Sequence, residues 1–94
     1  MAKRDKEWPP WWAWELFMTT HVGERMLERG FTEIELRRIM EHATGYHRSQ
    51  EEGRWVIETR RERRRWEVVV EPRPDKEVLE IVTAYAVKRK GSHE

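Results

Sequence analysis

The apolar residues of this chain change period part-way along it, and that switch limits the fold to helices followed by a sheet. Leu36, Ile39, Met40 and Ala43 recur at i, i+3, i+4 and i+7, the stripe of one helix face. Thr32 and Glu35 stand ahead of it at the spacing of a capping box, Phe31 is placed to staple onto Leu36, and Gly45 supplies a stop. From residue 54 onward the period is two. Trp55, Ile57 and Thr59 alternate with Val56, Glu58 and Arg60, and Trp66, Val68 and Val70 alternate with Arg65, Glu67 and Val69. Leu79, Ile81, Thr83 and Tyr85 mark one face of a last strand over residues 78–85. The link Arg61-Glu62-Arg63 is short enough to make the first two strands a hairpin, and Pro72-Arg73-Pro74-Asp75 marks the next turn.

Upstream, Pro9 and Pro10 disfavour helix and predict an extended start. Trp12, Trp14, Leu16 and Met18 then fall on one side at strand period, which predicts a first strand. Thr20 is placed as the N-cap of a helix over residues 21–29, with Gly30 at its left-handed stop. Residues 46–53 read as a polar connection holding at most a short extended piece. The expected architecture is α+β: an N-terminal strand, a two-helix hairpin and a three-stranded antiparallel meander. Residues 1–10 are expected to be a flexible N-terminal segment, 11–87 a single domain and 88–94 a C-terminal tail.

A chain of 94 residues that is 39% charged and 37% hydrophobic would stay unfolded if its apolar residues were scattered, so their concentration in periodic segments decides for folding. Six Trp add large buried area to so small a core. The absence of Cys excludes disulfides and thiolate metal sites, and makes the cytoplasm the expected compartment. No apolar run approaches the roughly 20 residues of a membrane span. His42 and His47 lack the i, i+4 spacing of two ligands on a helix, so neither a metal nor another cofactor is expected. The net charge of +1 conceals a local imbalance: residues 54–66 carry six Arg against Glu58 and Glu62, whereas residues 67–80 carry five acids against Arg73 and Lys76. Nucleic acid is thus a partner for one patch rather than for the whole surface.

Thr20-His21, Arg25, Arg29-Gly30-Phe31-Thr32, the Trp66 to Val70 run and Val82-Thr83-Ala84-Tyr85 occur here in an order that resembles domain-of-unknown-function family 4258. The resemblance spans residues 16–87. It implies a fold related to RelE and ParE toxins, in the wider group of barnase-like and colicin-like ribonucleases. It also implies RNA as a substrate, or an antitoxin or other protein as a partner. In that group a helical His, basic residues and a Thr or Ser with an aromatic on a late strand form the active constellation; the matching positions here are His21, Arg25, Arg60, Thr83 and Tyr85.

Metal-free RNA cleavage needs a base for the 2′-hydroxyl, an acid for the leaving oxygen, and cations facing the phosphate. His21 and Arg25 are one helical turn apart, about 6 Å along the axis, and can face one phosphate. In the first turn of the helix the imidazole is expected to be neutral and to act as the base. Arg60 is expected on the phosphate, Thr83 and Tyr85 to position it or relay a proton, and Arg61, Arg63 and Arg65 to bind nucleic acid. The competing expectation is a non-catalytic protein-interaction module with the same fold. A DNA-binding helix-turn-helix ranks below both, because Glu33, Glu35 and Glu41 accompany Arg37 and Arg38 on the would-be recognition helix.

Overall fold

Local chemistry sets the helices in place. In the computed structural model, which describes residues 8–87, α1 spans Thr20–Glu28 and α2 spans Glu33–Glu41. The cap of α1 is Thr19 rather than Thr20: its hydroxyl accepts the Val22 N–H at 3.3 Å. Thr32 caps α2 as the sequence predicts, accepting the Glu35 N–H at 3.2 Å. Between the helices the chain closes a Schellman turn, with Phe31 N–H on Met26 O at 2.8 Å and Gly30 N–H on Leu27 O at 3.0 Å. Gly30 adopts φ 85° there, a conformation that glycine takes without strain. The turn drops Phe31 fully into the core.

The strands are β1 (Glu15–Phe17), β2 (Gly45–Arg48), β3 (Trp55–Arg61), β4 (Arg64–Arg73) and β5 (Val78–Ala86), in one sheet of order β1-β5-β4-β3-β2. This α+β fold corrects the three-stranded meander in two ways. Helix α2 stops at Glu41, and Gly45 begins a strand, so part of the supposed polar connection pairs antiparallel with β3 through His47↔Val56. The N-terminal strand is only three residues long and lies parallel to β5, with Leu16 beside Leu79. It is short because Pro10 opens a 3-10 turn over Pro10–Ala13, where its fixed φ suits the first helical position; the prolines do not hold the whole segment extended.

A bulge corrects the last strand. Val69 pairs with Thr83 and Val70 with Ile81, which leaves Val82 as an extra residue on β5. Beyond it the alternation reverses. Leu79, Ile81 and Ala84 are buried, whereas Thr83 and Tyr85 turn to the opposite side from Leu79 and Ile81.

One sheet face carries Ile57, Val68, Val70, Leu79, Ile81 and Ala84 against Met26, Phe31, Leu36, Ile39 and Met40 of the helical layer. Thr59, the single buried polar residue among those described, donates its hydroxyl to Ile39 O and ties β3 to the end of α2. Trp11, Trp12, Tyr46 and Trp55 pack at one end of this layer, with Trp8 4.3 Å from Trp12 between ring centroids. Arg37 anchors the segment by donating to Trp12 O at 3.1 Å and to Trp14 O. No helix among the described residues is long and apolar enough to cross a membrane.

Candidate active site

Among the described residues no helix lies on the second face of the sheet, and the register of β3 and β4 decides what that face displays. These strands are joined by the two-residue turn Glu62-Arg63, with φ 52° and 69°, the pair of positive φ values that such a hairpin requires. Counting back from the turn sets Arg60 opposite Arg65 and Glu58 opposite Glu67; Tyr85 of β5 stands opposite Glu67 on its other side. Directly opposed side chains have Cβ atoms about 5 Å apart, and like charges so placed repel. The open face thus carries a row of two carboxylates beside a row of two guanidiniums.

Each carboxylate is held from outside the row. His47 Nδ1 lies 2.7 Å from Glu58 Oε2, and the Tyr85 hydroxyl donates to Glu67 Oε1 at 2.6 Å. The hydrogen bond to Glu67, with smaller contributions from partial burial and from the Glu67 charge, pushes the Tyr85 phenol up to about 12. Arg60 and Arg65 make no ion pair or hydrogen bond through their side chains with any described residue. Glu58, Arg60, Arg65 and Glu67 line a hollow of about 290 Å³, together with Thr44, Thr59, Trp66 and Val87. Two uncompensated cations in a concave site make a receptor for an anion, and the bordering carboxylates, imidazole and phenol supply groups that move protons.

The residues singled out from the sequence divide between places. Arg60, Arg65 and, through Glu67, Tyr85 come together. Thr83 is half-buried and accepts from Arg29 Nη1 at 3.3 Å; the same nitrogen donates to Ala84 O at 3.1 Å. His21 and Arg25 are exposed on α1 and do not line this hollow. Arg61 lies on the helical side: Nη2 donates to Gly30 O at 3.0 Å, and the guanidinium stacks 4.2 Å from the centroid of the Phe31 ring. Arg63 occupies the exposed turn. Sequence reasoning missed Glu58, Glu67 and His47 as site residues. The first two were readable, because a two-residue hairpin over Glu62-Arg63 fixes their register with Arg60 and Arg65. His47 required knowledge of β2.

Residues 18–86 match the family described as Domain of unknown function (DUF4258). The chain belongs to this family. The match takes in both helices and β2 to β5, and with them every residue lining the hollow except Val87; the 3-10 turn and β1 precede it. No curated protein and no solved structure shows significant similarity to the chain. Membership of this family brings a shared domain and no assigned chemistry, so function has to be read from the open face.

Proposed function

We propose that this domain is a toxin-like, metal-independent RNA endonuclease, with the hollow on the open sheet face as its active site. The observation that carries this reading is the pair of opposed, uncompensated arginines beside two partnered carboxylates. Stability alone would interleave the charges; keeping Arg60 opposite Arg65 costs free energy that a bound phosphodiester returns. The two guanidiniums would hold the phosphate and take up the charge that grows on it as the bond to the leaving oxygen breaks. Tyr85, which keeps its proton through the neutral range, is a donor for that oxygen, and Thr83 stands two residues before it. The base is either His21, as the sequence pattern suggests, or a carboxylate of the hollow. The resemblance to RelE-like domains also supports the reading. The test is incubation of the purified protein with single-stranded RNA in the presence of a chelator, with R60A, R65A and H21A beside it. Cleavage that leaves a 2′,3′-cyclic phosphate and is lost in the Arg variants supports the proposal; intact RNA refutes it.

Two exposed apolar side chains favour a second reading, a non-catalytic module that grips an antitoxin or another protein. Ile34 is 71% exposed and Leu27 62% exposed, and Ile34 lines a second, shallower hollow with Glu15, Leu16, Glu33, Arg37, Arg38 and Glu41. Under this reading R60A and R65A leave partner binding unchanged, while I34D abolishes it.

A further inference from the structure

We infer that Glu58, held by His47, is the proton acceptor of the active site, and that the helical His21 is not. The inference rests on the nuclease reading above and assigns the one role that reading leaves open. Glu58 projects from the middle of β3 into the hollow, one row from Arg60 and Arg65. Its Oε2 is held by His47 Nδ1 at 2.7 Å, and its Oε1 has no hydrogen-bond partner among the described residues. A carboxylate fixed at one oxygen and free at the other is oriented to accept a proton from whatever enters the hollow. His47 lies on the outer strand β2 and is exposed, and its ring fixes the orientation of the Glu58 carboxylate. Glu67 is held in the same way but by Tyr85, the donor for the leaving oxygen, so it stands with the acid rather than the base.

The strand order also meets the demand of an in-line displacement, in which acceptor and donor stand on opposite sides of phosphorus. Glu58 on β3 and Tyr85 on β5 are separated by β4, two strand spacings or about 9.5 Å. The Tyr85 hydroxyl reaches from β5 to Glu67 of β4, so donor and acceptor approach from two sides of that strand. Glu58 takes the proton of the 2′-hydroxyl as its oxygen forms a bond to phosphorus. The bond from phosphorus to the 5′-oxygen breaks, and that oxygen takes the Tyr85 phenol proton. The products are a 2′,3′-cyclic phosphate and a 5′-hydroxyl; Tyr85 regains a proton from water, and Glu58 gives its own to water. His47 is thus a positioning residue, and Glu58 the catalytic one.

The experiment follows cleavage of a short single-stranded RNA across pH by wild type, E58Q, E58D, H47A, H47N and H21A, with circular dichroism confirming that each variant folds. E58Q is expected to lose about 10²- to 10⁴-fold in rate, E58D to recover part of it, and H21A to stay near wild type. The charged groups facing Glu58 are His47 from β2, Arg65 and Glu67 from β4 and Arg60 on its own strand. Removing His47 frees the Glu58 carboxylate to turn, and H47N, whose amide N–H can stand in for Nδ1, is expected to keep part of the rate that H47A loses. If His47 acts only in folding, H47N falls as far as H47A. Cleavage by wild type that E58Q leaves unchanged overturns this assignment and spares the nuclease reading. Absence of cleavage by wild type removes both.

Discussion

The two ends of the open sheet face are built from the same residue types and arranged in opposite ways. At the end where β4 turns into β5, Glu71 also faces a like charge, Glu80, but arginines bridge the pair: Arg54 Nε donates to Glu71 Oε1 at 3.2 Å, Arg73 reaches Glu71 at 3.6 Å, and Arg73 Nη2 lies 2.8 Å from Glu80 Oε1. Each cation there has a carboxylate. At the hairpin end, a few residues along the same strands, Arg60 faces Arg65 and Glu58 faces Glu67, and no ion pair joins the two rows. The sheet can neutralise itself, and at one end it does. The unneutralised end is therefore an arrangement that needs a reason other than folding, and the hollow between its charges supplies one.

Both ends rest on one core, and the largest expected effect tests that shared support. Ile57 is fully buried and neighbours Glu58 in the chain, on the helical side of β3. Ile57→Ala should destabilise the fold by about 2–5 kcal/mol, read by urea denaturation, and should disturb both ends together. A change below 1 kcal/mol would show that the helical layer does not support β3 as described.

The next effect separates the ends. Arg65→Ala should reduce RNA cleavage by roughly 10²- to 10³-fold, as loss of a group facing the developing charge does elsewhere. It removes a like-charge opposition, so stability should hold or rise slightly. Arg73→Ala should do the reverse, with cleavage unchanged and stability slightly lowered, because it breaks an exposed network. Equal loss of cleavage in both variants would remove the contrast and turn the arginines into a diffuse field.

How much of this contrast was visible in the sequence depended on how local each determinant is. The cap on Thr32, the apolar stripe of α2 and the alternation in β3 and β4 are set by neighbours in the chain, and each was legible, although Ala43 of the stripe falls beyond the helix end at Glu41. Strand β2 was not. It has four residues, too few for a period, and what makes it a strand is the exposed edge of β3 rather than any preference of Tyr46, His47 or Arg48. Its absence from the reading hid the His47 to Glu58 pair. The bulge at Val82 was equally silent, since no glycine marks it, and one extra residue there moved Thr83 and Tyr85 to the other face. The start of α1 was assigned to the site because residue types suggested it, but the chemistry of type carries no information about which layer a side chain stands on.

A smaller effect lies at the tip of the hairpin end. Glu62 and Arg63 both hold positive φ, which costs a non-glycine residue about 1–2 kcal/mol. Replacing them with Asn-Gly should raise the melting temperature, corresponding to about 1–2 kcal/mol gained, while leaving the register of Arg60 and Arg65 intact. Cleavage that falls despite this gain would show that the turn residues themselves touch RNA, placing Arg63 in the site.

The finest test concerns a single proton. Tyr85 is 40% exposed, yet its phenol is pushed up to about 12, first by the hydrogen bond to Glu67 and then by partial burial and the Glu67 charge. A phenol raised from its usual value near 10 favours the folded state while protonated. That contribution is complete below about pH 10 and is lost as the pH rises through about 12. Solvent screening keeps it small, so spectroscopy is a better probe than stability. The chain has two tyrosines, and Tyr46→Phe leaves Tyr85 as the only phenol for ultraviolet difference titration. Its midpoint should fall near 12 and return toward 10 when Glu67→Gln is added. A midpoint near 10 in both proteins would mean that the Tyr85 to Glu67 bond is not held in solution. The hairpin end would then lack the proton donor proposed for it, and the two ends of the face would differ in charge pairing alone.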